Sequence, residues 1–212
     1  KGSQGSFHPV RLGLPARMKE RILVTGALGY VGGRLCEYLS ETGDYQLVLT
    51  SRKEHFGGRL PFRDYRLVKM DILSDRDLEN ACDQVDAVIH LAAANEMESA
   101  RAPQEALEVT ALGTERLIAA LKGSKTKKFI YFSTAHVYGS PLQGHITEKT
   151  LPKPVHPYAA SHKAAEDSVL EAHRSGKFCG VVFRLSDGFG TPLWPEANCW
   201  TLLVNDLCRQ AV

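Results

Sequence analysis

Thr25-Gly26-Ala27-Leu28-Gly29-Tyr30-Val31-Gly32 decides the fold of this chain. The stretch follows the apolar run Ile22-Leu23-Val24 and opens a segment with helical periodicity. Glycines at this spacing, at a strand-to-helix turn, bring a backbone against a pyrophosphate. The first allows the tight turn, the second leaves room for phosphate, and the third lets helix and strand pack closely. The amides and dipole at the helix start then favour an anion. An ordinary glycine-rich turn is the plain alternative; the strand before and the helix after favour nucleotide binding.

Outward from that turn, strand and helix patterns alternate. Strands are expected at 21–25, 46–51, 65–70, 86–91, 128–133 and 178–185, most of them nearly continuous apolar runs, as strands covered on both faces require. Helices are expected at 31–42, 75–83, 98–122, 158–175 and 196–212. Gly43 and Gly123 stand where C-caps belong, and Ser74-Asp75 is a start signal for the short helix. The alternation predicts an α/β fold, a doubly wound parallel sheet of the Rossmann kind. Residues 1–17 read as a flexible leader, 18–190 as the dinucleotide-binding domain and 191–212 as the start of a substrate lobe. No strand follows the run at 196–212, so a piece of a longer protein is expected, with a short natural chain as the alternative.

Composition narrows the class. The 212 residues suffice for one sizeable core, and a net charge of +2 gives no argument for nucleic acid or an anionic membrane as main partner. No apolar run reaches membrane-spanning length. Cys36, Cys82, Cys179, Cys199 and Cys208 are scattered, without a CxxC pair, and read as reduced thiols of a cytoplasmic protein rather than disulfides or a metal site.

Two further clusters fall where the reactive end of a cofactor belongs. The run Phe129-Ile130-Tyr131-Phe132 leads into Ser133-Thr134-Ala135-His136-Val137-Tyr138-Gly139, and Pro157-Tyr158-Ala159-Ala160-Ser161-His162-Lys163 opens the next long helix. A strand-end hydroxyl and a helix-start tyrosine at the carboxyl edge of the sheet would grip one substrate oxygen. With Asp71-Ile72, His90-Leu91-Ala92-Ala93 and Arg184-Leu185-Ser186-Asp187-Gly188-Phe189-Gly190, these segments resemble, in order, the extended short-chain dehydrogenase/reductase superfamily, NAD-dependent epimerase/dehydratase branch.

The resemblance implies roles. Gly26, Gly29 and Gly32, with Tyr30 and Val31 in the same turn, would cradle the pyrophosphate. Asp71 and Ile72 would meet the adenine, Leu91, Ala92 and Ala93 the nicotinamide-side ribose, and Leu185, at the turn after the sixth strand, would also contact the cofactor. Thr134 would hydrogen-bond the substrate oxygen, with Ala135, His136 and Asp187 on the substrate side, and Tyr158 would be the general acid/base. Lowering a tyrosine from about 10 to about 7 asks for roughly 4 kcal/mol of differential stabilisation. The family draws it from the nicotinamide charge and a lysine one helical turn after the tyrosine.

The chain departs from that pattern at three places. His162 stands four residues after Tyr158, and Lys163, one residue on, is turned about 100° away. Histidine is shorter and titrates near 6.5, so His162 is expected to hold the ribose hydroxyls while activating Tyr158 weakly; loss of turnover with binding retained is the alternative. Ala135-His136 replaces the Asp-Glu of hexose dehydratases, which argues against elimination; His136 is either a base toward a sugar carbon or a packing residue. Asp187 replaces an asparagine that places the sugar diphosphate, and its carboxylate either repels that group or caps a local turn.

At the end of the second strand, Leu49-Thr50-Ser51-Arg52 carries no carboxylate for the adenosine ribose. Ser51 and Arg52 suit a 2′-phosphate, so the expected cofactor is NAD(P), leaning to NADP, with an exposed Arg52 as the alternative. The helices at 98–122 and 158–175 carry stripes (Ala106, Val109, Gly113, Leu117, Ala120; Ala165, Val169, Ala172) that read as core, and the resemblance allows a homodimer through their outer faces. The expected function is hydride removal from a secondary alcohol, on a nucleotide sugar by resemblance. A dinucleotide-binding regulator without turnover is the competing class.

Overall fold

The computed structural model of the chain describes residues 19–52, 60–197 and 199–211. Strands β1 (Glu20–Thr25), β2 (Tyr45–Ser51), β3 (Tyr65–Lys69), β4 (Ala87–His90), β5 (Lys128–Thr134) and β6 (Cys179–Leu185) form one sheet in the order β3-β2-β1-β4-β5-β6. Every neighbouring pair is parallel. Strand order runs outward from β1 in one direction, then returns to place β4 on its other side. The carboxyl ends of β1 and β4 thus flank the switch point where such sheets bind ligands.

The period-2 alternation of the strands sends their side chains into two cores. Leu23, Val48, Val88 and Phe129 pack with Leu78, Leu117, Ala165 and Val169 of helices α2 (Asp75–Cys82), α5 (Gly113–Ala120) and α6 (Pro157–Arg174). Val24, Leu49 and Ile89 face the other way, against Cys36 of α1 (Tyr30–Thr42) and Phe62. Strand β6 departs from the expectation of two covered faces. Its Val182 joins the first core, while Val181, Phe183 and Leu185 on the other face are 40%, 48% and 39% exposed.

Local signals explain the element ends. Gly43 closes α1 at φ 73°, where an L side chain is strained, and Ser74 caps α2 by accepting from the Asp77 amide. The helix expected at 98–122 is divided. Helix α3 (Glu96–Arg101) opens on a capping box between Asn95 and Glu98, and Pro103 begins α4 (Pro103–Ala106) after a non-helical Ala102 (φ −136°, ψ 76°). Proline lacks the amide and restricts the residue before it, so the chain restarts there. A π-helical stretch, Leu107–Leu112, leads into α5, and Gly123 lies two residues beyond the C-cap Leu121. The run expected at 196–212 is helical only as α7 (Leu203–Gln210), with turns before it. The leader at 1–17 lies outside the described residues.

Candidate active site

Where β1 hands over to α1 the backbone is crowded. Gly26 has φ 67°, and a Cβ there would stand 2.9 Å from the Ala92 nitrogen; a Cβ on Gly32 would meet the Gly26 carbonyl oxygen at 2.2 Å. A Cβ on Gly29 would meet only the Gly26 oxygen, at 3.2 Å, among the described residues, so its remaining side is open. Helix geometry leaves the first amides of α1, at Tyr30, Val31 and Gly32, without intrahelical acceptors. The Tyr30 phenol turns away, donating to the Gly190 carbonyl at 2.9 Å and accepting from Asn205 Nδ2 at 3.1 Å. Val31 is 38% exposed.

A buried polar chain fixes this turn to the rest of the sheet. Thr25 Oγ1 accepts from the Leu91 and Ala92 amides at 3.2 and 3.1 Å and donates to His90 Nδ1 at 2.5 Å. His90 Nε2 then donates to Thr114 Oγ1 at 2.9 Å, and Thr114 donates to the Thr110 carbonyl inside the π-helical stretch. Burial drives the His90 pKa down to about 3, so the ring stays neutral in this donor pattern. Thr110 Oγ1 accepts from the Ala94 amide at 3.1 Å. Thr110 and Thr114 carry no motif of their own and escape sequence reading, and Thr25 heads the glycine stretch without its hydroxyl being given a role there; the histidine of His90-Leu91-Ala92-Ala93 was the available signal.

From Gly26 and Gly29 a cleft of about 510 Å³ runs past Thr50, Ser51, Arg52 and Ile72 on one side and Leu91, Ala92 and Ala93 on the other. Glu98, Arg101 and Glu105 rim it. A larger groove of about 910 Å³ follows edge strand β3 and contains none of the expected site residues. Asp71 is exposed, and its carboxylate accepts from the Leu73 amide at 2.9 Å, whereas Ile72 reaches the cleft.

At the carboxyl end of β5, Thr134 lies beside Leu185 of β6, and a 3₁₀ turn, Ala135–Tyr138, carries Ala135 and His136. Thr134 Oγ1 accepts from the His136 amide at 3.2 Å, which leaves its own hydrogen to donate. Burial pushes the Tyr158 phenol up; the Thr134 hydroxyl beside it opposes that rise, and the Glu96 carboxylate adds to it. The His162 ring stands edge-on to Tyr158 with centroids 4.6 Å apart. Lys163 is turned away and pairs with Asp167. Asp187 is exposed in the turn after β6.

His162 is buried, and burial lowers its pKa to about 4. Tyr131, whose phenol is pushed well above its ordinary range by burial, keeps its proton and donates to His162 Nδ1 at 2.7 Å. The imidazole proton then lies on Nε2, a buried donor with no partner among the described residues. Below this layer, Glu166 is fully buried and accepts from Arg184 Nε and Nη2 at 2.9 and 2.7 Å, while the guanidinium stacks on Tyr138 at 4.7 Å. This bidentate pair pins α6 to β6 and to the 3₁₀ turn.

A glycine turn at the switch point of a six-stranded parallel sheet, with a cluster of rings around Tyr158 beyond β5, defines a Rossmann-type domain. The family model described as NAD dependent epimerase/dehydratase matches residues 22–199, and the chain belongs to that family. It is 30% identical over 198 residues to the dTDP-D-glucose 4,6-dehydratase of Dictyostelium discoideum, covering 84% of this chain and 46% of that protein. It is 34% identical over 148 residues to the UDP-glucose 4-epimerase of Halalkalibacterium halodurans, 68% of this chain and 44% of that one. The crystal structure of UDP-glucuronic acid 4-epimerase from Bacillus cereus, in complex with UDP-glucuronic acid and NAD, superposes with a TM-score of 0.73 at 28% identity, covering 83% of this chain and 59% of that chain. The chain spans about half the length of the curated relatives it matches.

Proposed function

We propose that the protein is an NAD(P)-dependent oxidoreductase of the epimerase/dehydratase type, oxidising a secondary alcohol of a nucleotide sugar transiently so that it can be epimerised or reduced. The observation that carries this is the pairing of Thr134 and Tyr158 at the carboxyl edge, beyond the glycine turn. The residues fit a dinucleotide: Gly29 leaves its outer side open, the cleft continues past Ile72, and His162 Nε2 is a buried donor awaiting an acceptor. Gly26, Gly29 and Gly32 with the first amides of α1 would hold the pyrophosphate, Ile72 the adenine, and His162 a ribose hydroxyl. A nicotinamide dinucleotide bound there supplies reversible two-electron chemistry at a carbon next to the substrate oxygen. Thr134 donates to that oxygen and orients it, and Tyr158 exchanges the hydroxyl proton. Ala135 offers no acid for a leaving hydroxyl, which favours epimerisation or reduction over elimination.

Neutral His162 supplies no positive charge to Tyr158. Proton abstraction by Tyr158 therefore belongs to alkaline pH. That same neutrality supports the second reading, a dinucleotide-binding regulator without turnover. Nicotinamide absorbance followed with a panel of sugar nucleotides separates the two: a change supports the enzyme, and saturable dinucleotide binding without any change supports the regulator. NADP is the preferred form, on the strength of Ser51 and Arg52 at the cleft. Dissociation constants test this: NADP should bind about tenfold tighter than NAD, with the gap closed in Arg52→Ala; tighter NAD binding contradicts it. The half-exposed Leu107 and Leu112 on the π-helical stretch support a homodimer, and free thiols at all five cysteines support a cytoplasmic setting.

A further inference from the structure

Three side chains with metal-ligand chemistry meet at Tyr158, brought there by separate segments. His136 lies on the 3₁₀ turn after β5, His156 immediately precedes α6, and Glu96 is the first residue of α3. One ligand atom from each lies within 4.8 Å of the other two. His156 Nε2 and His136 Nδ1 are 3.3 Å apart, with the rings inclined at 67°. Two nitrogens held at about 2.0–2.1 Å by one tetrahedral ion are separated by roughly 3.3 Å, so the histidine pair already has the spacing of a ligand edge. His136 and His156 both pack their rings against Tyr158, at centroid distances of 6.2 and 6.1 Å.

We propose that Glu96, His136 and His156 form a binding site for a divalent first-row transition-metal ion of the Zn²⁺ class, beside Tyr158. Two imidazoles and one carboxylate are a donor set such ions accept, and three protein ligands leave a position for water or a sugar hydroxyl. Ligand spacing along the chain gives no hint of the site, because its members come from three segments far apart in sequence. Binding has a defined proton consequence. His156 Nδ1 accepts from the Ala159 amide at 3.3 Å, so its ring proton is on Nε2, directed at His136. To coordinate through Nε2, that proton moves to Nδ1 and the Ala159 contact is released, which loosens the start of α6. The site stands on its own residues and does not depend on turnover of a nucleotide sugar.

Co²⁺ titration of the protein tests this. One Co²⁺ per chain is expected, with the visible ligand-field bands of four-coordinate geometry, displacement by Zn²⁺, and a shift of the Ala159 amide resonance. Glu96→Gln and His136→Ala should each weaken binding at least tenfold. His145→Ala, at an exposed histidine outside the cluster, should leave it unchanged. Glu96 is exposed, so Glu96→Gln decides the matter even where His136→Ala fails to fold. Absent visible bands, binding that survives Glu96→Gln, or thiolate charge-transfer bands placing the ion on Cys179 or Cys208 would overturn the proposal.

Discussion

The glycine turn, which opens the cleft, and the ring cluster around Tyr158, which lies outside the cleft's lining, are built from different material. At the glycine end the contacts are backbone: a left-handed Gly26, the Gly32–Gly26 approach, and amides of Leu91 and Ala92 held by one threonine. At the Tyr158 end they are rings, with Tyr131, His136, His156 and His162 gathered around or below the tyrosine. Backbone geometry tolerates little change, because an added Cβ has nowhere to go. A ring cluster can be rebuilt residue by residue while its scaffold stays intact. Two of the three departures read from the sequence, at His162 and at Ala135-His136, fall in the ring cluster.

Variants that strike one end should spare the other. The largest effect is expected at Tyr158→Phe, which should lower turnover about 10³-fold or more while dinucleotide affinity stays within a few-fold; near-normal turnover, followed by nicotinamide absorbance, would break the distinction. Arg184→Met comes next. It leaves the buried Glu166 carboxylate uncompensated and should cost roughly 3 kcal/mol, read as a lower denaturation midpoint and disorder at the start of α6. An unchanged midpoint would show that α6 is held by its apolar stripe alone.

Acid should act on both ends through their buried histidines. His162 and His90 have folded-state pKa values lowered to about 4 and about 3, below the ordinary 6.5. Their neutral forms are fully compatible with the fold above pH 6.5, and stability is lost as pH falls from there toward those lowered values. Between pH 7 and pH 5 each should remove roughly 2 kcal/mol. Chemical denaturation at the two pH values should show the loss, reduced by about 2 kcal/mol in His162→Gln; equal slopes in both proteins would contradict the assignment. The smallest shift concerns His162→Lys. A cation one turn after Tyr158 should move the alkaline limb of the pH–rate profile down by about one pH unit, whereas Lys163→Ala, on the outer face, should leave it in place.

The sequence disclosed most of the scaffold because its signals are local. Apolar strand runs, the glycine triplet, Ser74 and Gly43 each act within a few residues, and the strands and principal helices fall within one or two residues of expectation. The displacement of Lys163 from the site followed from helical periodicity alone. What escaped is long-range or tertiary. The partner of His162 is Tyr131, 31 residues away, and the partner of Tyr30 is Asn205, 175 residues away. The division of the long helix at Pro103 was legible in principle, but helical periodicity on both sides concealed it. The turns before α7 are a different case: buried Asn205 binds Gly190 and the Cys199 carbonyl, and tertiary hydrogen bonds there override a weak helical pattern.

The central claim is that a nicotinamide dinucleotide lies along the glycine turn with its reactive end beside Thr134 and Tyr158. A crystal structure of the protein with NADP or NAD tests it directly. The account predicts the pyrophosphate against the first amides of α1 and a ribose hydroxyl within hydrogen-bonding distance of His162 Nε2. A dinucleotide bound elsewhere, or a nicotinamide ring turned away from Tyr158, would contradict it.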